Sequence, residues 1–143
     1  MAKMLWKPTD ERVKNSNMYR FMNFINKKHS LDINEYRALY KWSIENIPEF
    51  WASFWQFADI KYSKMYDTVI DDVHKMPGTK WFEGARLNFA ENLLRFRDDH
   101  TAFIFRGETQ KSSKMSYSEL YDTVARLAKS LKQMGIKPGD RVA

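Results

Sequence analysis

From Ser116 onward the chain reads as a capped amphipathic helix that passes through a turn into the opening of a strand. Ser116 can cap the helix while Glu119, three positions on, bonds back to the backbone N–H of the cap. Leu120, Val124, Leu127, Ala128 and Leu131 recur at spacings of three and four, which makes one face apolar. Gly135 is placed to end the helix in a left-handed conformation, and Pro138-Gly139-Asp140 makes the turn. Arg141-Val142-Ala143 then opens an extended segment. A helix that feeds a strand does so because the strand belongs in a sheet. The expectation is therefore a piece of a larger fold, interrupted as its sheet begins.

A chain of 143 residues suits one domain or a large part of one. At 43% hydrophobic and 15% aromatic it has enough apolar material for a core, which argues against general disorder. The absence of cysteine excludes a disulfide scaffold and any cysteine-ligated zinc or iron–sulfur centre. The opening Met-Ala-Lys-Met-Leu-Trp-Lys-Pro has no apolar run of signal-peptide length. No stretch approaches the ~20 apolar residues that span a bilayer. A soluble, cytoplasmic protein is expected.

The net charge of +6 raises the question of nucleic acid. Acidic residues are interspersed with the basic ones, and only Lys27-Lys28-His29 and the pair Lys111 and Lys114 form short basic clusters. Nucleic-acid binders concentrate basic residues on one face and add a recognisable motif. Neither is present, so a solvated basic surface and no nucleic-acid partner are expected.

The first part of the chain is helical by pattern. Met18, Phe21, Met22 and Ile25 share a helix face, with Ser16 or Asn17 near its start and Lys27 and Lys28 suiting its C-terminal end. A second helix starts near Ile33 or Asn34, with Tyr36, Leu39, Tyr40, Ile44 and Ile47 on one side. Pro48 suits the first position of a third helix. That helix carries Phe50, Trp51, Phe54, Trp55 and Phe57, a stripe that could stack bases or dock another chain. The simpler reading makes these rings the core between helices, with part of the stripe left exposed where further sequence would cover it.

Between Ile60 and Met76 the pattern weakens. Met65, Tyr66, Val69, Ile70 and Val73 suggest a short helix or an irregular packed segment, and Pro77-Gly78 a turn. His74 beside Asp71 and Asp72 has no second histidine at ligand spacing, and these read as surface polar residues. No catalytic, cofactor-binding or metal-ligating residue is assigned anywhere in the chain.

After that turn comes Lys80-Trp81-Phe82-Glu83-Gly84-Ala85-Arg86-Leu87-Asn88-Phe89-Ala90-Glu91-Asn92-Leu93-Leu94. Asn88 can cap a helix that carries Phe89, Leu93 and Phe96 on one side, and Gly84 permits a bend that returns Trp81 and Phe82 over it. This segment resembles the Trp-Phe and Leu-Asn-Tyr/Phe-x-Glu-Asn-Leu-Leu signature of short-chain acyl-CoA synthetases. Met134-Gly135-Ile136-Lys137-Pro138-Gly139-Asp140-Arg141-Val142-Ala143 is similar to the opening of the large domain of the same adenylate-forming superfamily. Met4-Leu5-Trp6-Lys7-Pro8, Tyr40 to Glu45, and Phe50-Trp51 through Phe57 resemble the branch of the family that activates acetoacetate. The resemblance runs from about Met4 to Ala143.

Between the two matched motifs, Ala102-Phe103-Ile104-Phe105 and Lys114-Met115-Ser116 read as the strands of a hairpin joined through Arg106-Gly107-Glu108. The fold class expected for the chain is α+β: a mostly helical N-terminal region, a short β-hairpin, a helix and the start of a strand. The resemblance sets this inside a parent enzyme of α/β adenylate-forming fold. It implies that residues 1–96 form the helical N-terminal region and that residues 97–143 begin the AMP-binding domain.

The resemblance implies a parent ligase that joins acetoacetate to ATP as an acyl-adenylate and then transfers it to coenzyme A, with Mg²⁺ neutralising phosphate charge. In the family those groups are held downstream of a segment like Gly135 to Ala143. The five glycines here never cluster as a phosphate-cradling loop. The chain is therefore expected to be inactive alone and to have the remainder of the parent as its partner. Two alternatives stay open: a piece of an acetyl- or propionyl-type synthetase, and a standalone, non-catalytic module that binds a protein through its aromatic residues.

Overall fold

A computed structural model describes residues 5–109 and 112–142, which fall into two units, Met1–Leu87 and Asn88–Ala143. Met4, Lys111 and Ala143 of the sequence reading lie outside the described residues.

In the first unit, Thr9 caps the short helix α1 (Asp10–Lys14), which the sequence pattern did not reveal. Ser16 accepts a hydrogen bond from Tyr19 N–H at 3.2 Å and starts α2 (Asn17–His29), whose face carries the buried Phe21, Met22 and Ile25. Helix α3 runs Tyr36–Glu45, later than its pattern suggested, because Ile33 is committed elsewhere. The Asn26 carboxamide takes both backbone groups of Ile33, accepting from its N–H at 2.9 Å and donating to its C=O at 2.7 Å. Ile33 is thereby held outside the helix and buried among the α2 side chains.

A single residue, Asn46, closes α3 and opens α4 (Ile47–Phe57). Its N–H donates to Trp42 C=O at 2.9 Å, while its own C=O accepts from Phe50 N–H at 2.9 Å. Pro48 sits in the first turn of α4, where its missing N–H leaves nothing unpaired. Helix α4 packs against α2, α3 and strand β1 (Thr68–Ile70), so its aromatic stripe is shared among several neighbours. Ile25 and Ser53 are fully buried at this junction of helices.

The segment expected to be helical or irregular, Ile60 to Met76, contains β1, paired antiparallel with β2 (Trp81–Glu83). Met65, Tyr66, Val69, Ile70 and Val73 recur at helical spacings of three and four, but pairing with β2 overrides that pattern, and three residues of strand are too short to show period two. The ribbon continues beyond the strands through Lys64 and Arg86, which bridge antiparallel. Gly84, at φ +83, turns the chain between the two pieces; a Cβ there would stand 2.0 Å from Asp67 Oδ2. The rings of Trp81 and Phe82 pack on Trp51, Trp55 and Tyr66, at centroid distances from 4.8 to 5.8 Å. The sequence reading had given them the following helix as partner.

In the second unit Asn88 caps α5 (Phe89–Leu93), accepting from Glu91 N–H at 3.3 Å. This helix is too short to include Phe96, whose ring instead meets Tyr117 at 6.1 Å. Strands β3 (Thr101–Arg106) and β4 (Ser112–Ser116) form the expected hairpin, with a register shift between Thr101 and Phe103. Helix α6 (Tyr117–Gln133) lies against both strands, and its first turn is tied back by Tyr117 N–H to His100 C=O and Ser118 N–H to Asp98 C=O, each at 3.0 Å.

The ends of α6 are built as the sequence reads. Ser116 and Glu119 form the reciprocal capping box. Gly135 takes φ +83, Ile136 N–H reaches Leu131 C=O and Gly135 N–H reaches Lys132 C=O, the two bonds of a Schellman close. Gly139, at φ +99, follows Pro138 in a turn closed by Asp140 N–H on Lys137 C=O. Arg141 and Val142 continue beyond it outside regular secondary structure.

Candidate functional site

The most apolar candidate groove among the described residues lies in the first unit, between α2, α3 and α4. Phe21 is its floor: its ring meets Phe50, Phe54 and Phe57 at 5.6, 5.9 and 5.1 Å, all in edge-to-face arrangements. Such pairs add about 0.5–1.5 kcal/mol each beyond the area they bury. Above this floor is a groove of about 340 Å³ with Tyr36, Tyr40 and Met18 along its sides. Tyr36 and Tyr40, four apart on α3, stack at 6.4 Å and are more than half exposed. The groove presents hydroxyls and a carboxamide at its rim but no carboxylate, imidazole or amine. It can receive apolar side chains and has no group to move a proton or hold a phosphate.

The α4 stripe thus divides. Trp55 is buried, Phe50 and Phe57 are half-buried in the core, while Trp51 and Phe54 are 38% and 41% exposed. The sequence reading of a core stripe holds for the first three, and its allowance for an exposed part describes the other two. Trp55 packs against Phe82 with the rings tilted at 4.8 Å and meets Tyr66 edge-on at 5.3 Å. Its Nε1 is buried without a hydrogen-bond partner. With no accessible surface, that N–H cannot reach a ligand.

Two clusters of chemically capable side chains prove to be structural. His29 Nε2 stands 2.8 Å from Ser53 Oγ, but that hydroxyl is fully buried and among the described residues no carboxylate bonds the imidazole's other nitrogen. A buried serine without an orienting acid is a helix-to-helix hydrogen bond rather than a nucleophile. Asp71 is the second case. Its carboxylate accepts from Lys75 Nζ at 2.7 Å, from Lys80 N–H at 2.9 Å and from Asp72 N–H at 2.8 Å. The Lys75 hydrogen bond, followed by that from the Lys80 backbone, holds its pKa down at about 2. Lys75 is raised in return by Asp71. These bonds clasp the loop from Asp71 to Lys80 at its base, where Asp71 N–H also meets Lys80 C=O at 3.2 Å. His74, expected at the surface, is exposed and donates its backbone N–H to Asp72.

Asp71 and Asn26 are the organising polar residues that the sequence reading missed. Each acts across seven to nine residues of intervening chain, beyond the reach of a local pattern. Among the described residues no three acidic or histidine side chains gather to hold a metal ion. Gly78, Gly84, Gly135 and Gly139 each serve separate turns rather than one anion-binding loop.

Comparison with known proteins accounts for both units. The model of the acetyl-coenzyme A synthetase N-terminus matches residues 36–93, and that of the AMP-binding enzymes matches residues 89–143. The solved acetoacetyl-CoA synthetase from Streptomyces lividans superposes with a TM-score of 0.82 at 34% identity, over 99% of this chain and 22% of that one.

The chain resembles the N-terminal stretch of acyl-CoA synthetases along nearly its whole length.

Among curated relatives, the acetoacetyl-CoA synthetase of Xenopus tropicalis is 41% identical over 99% of the chain. The malonamoyl-CoA synthetase of Penicillium aethiopicum is 36% identical over 91% of it. The chain spans about a fifth of these relatives, 21% and 19% of their lengths. The Trp81–Leu94 motif straddles the junction of the two family models, and α6 with its closing turn lies within the AMP-binding match. No helix among the described residues is long and apolar enough to cross a membrane.

Proposed function

We propose that this chain is the N-terminal part of an acetoacetate–CoA ligase, an enzyme that activates acetoacetate with ATP to an acyl-adenylate and passes the acyl group to coenzyme A. The observation that carries this reading is the agreement over 99% of the chain, in sequence and in fold, with acetoacetyl-CoA synthetases. On this reading residues 1–96 are the helical N-terminal region and residues 97–143 open the AMP-binding domain. The two family models meet just before that point, across residues 89–93.

ATP, Mg²⁺ and coenzyme A would be held by the part of the polypeptide that the relatives have and this chain does not span. The residues in hand do structural work: the α2–α3–α4 groove and the apolar strand β3 are faces for the rest of the enzyme, and the setting is cytoplasmic. The likeness to a malonamoyl-CoA synthetase indicates that this region does not by itself choose the acid.

The test is pyrophosphate–ATP exchange by the full gene product, with Mg²⁺ and with acetoacetate, acetate or propionate in turn. Exchange should be fastest with acetoacetate. Preference for acetate or propionate would move the protein to that branch, and no exchange with any acid would sink the ligase reading.

A further inference from the structure

We draw no further inference here: the strongest candidate, the apolar groove between α2, α3 and α4 with Tyr36, Tyr40 and Phe54 on its rim, carries none, because nothing in the structure shows what covers it.

Discussion

The helical unit and the unit that begins at Asn88 follow the same local rules and arrive at different physical states. In the helical unit, Ile25 is fully buried and Phe21, Met22, Ile33 and Leu39 close around it. In the other, no hydrophobic side chain is buried among the described residues, and Phe103, Ile104 and Phe105 are 58%, 70% and 62% exposed. Yet the second unit has the better helix ends, with a capping box at one end of α6 and a Schellman close at the other. A cap contributes about 1 kcal/mol and decides where a helix starts. Ordering the backbone costs ~1–2 kcal/mol for each residue, and only extensive burial offsets that. Three consecutive large apolar residues in β3 describe a strand meant to be covered on both faces. Local structure and a core are separate achievements, and the second unit shows one without the other.

The difference is open to direct attack. All five tryptophans lie in the first unit, so their emission reports that unit's unfolding alone. The largest effect should come from Phe21→Ala, which removes the floor of the aromatic cluster and should cost about 3–5 kcal/mol in urea titration. The same truncation at Phe103, more than half exposed, should stay within about 0.5 kcal/mol. Comparable losses at both positions would erase the distinction between the units.

A smaller effect is expected at Gly84. Asp67 can swing away from an added methyl at the expense of its 3.0 Å bond to Lys64, but the positive φ remains. Gly84→Ala should therefore cost about 1–2 kcal/mol, and adding Asp67→Ala should not restore it. Full recovery in the double variant would show that crowding, not backbone conformation, sets the requirement.

In the second unit, Ser116→Ala should weaken the start of α6 by about 1 kcal/mol. It should appear as faster amide exchange at Glu119, with tryptophan emission unchanged.

The smallest effect concerns the Asp71 clasp. A carboxyl whose folded pKa is depressed contributes stability that is fully present above its ordinary value of 3.8 and is lost as pH falls through its folded value of about 2. The urea midpoint should drop across that window, and drop less in Asp71→Asn. Equal acid sensitivity in both proteins would remove Asp71 from the loop's stability.

How legible each part was follows from the range of the forces involved. The caps of α6 and the Pro138-Gly139 turn were readable because the partners in each lie within five residues of one another. The β3–β4 hairpin was readable because its strands are long enough to show their composition. Strands β1 and β2 were not: three residues each, they are held by pairings such as Thr68 with Glu83 and Lys64 with Arg86, distant in sequence, and by rings from α4. Asn26 and Asp71 looked like ordinary polar residues because their partners are set by the path of the chain. The family was legible from Trp81 to Leu94 and from Met134 to Ala143, segments that are packing and turn motifs rather than reactive ones.

Hydrogen exchange of the 143-residue chain at neutral pH tests the contrast most directly. The amides of α2, α3 and α4 should be the slowest to exchange, while those of β3, β4 and α6 should exchange with little protection. Equal protection through both units would contradict this account, because it would mean that the segment after Asn88 holds its fold without a buried core.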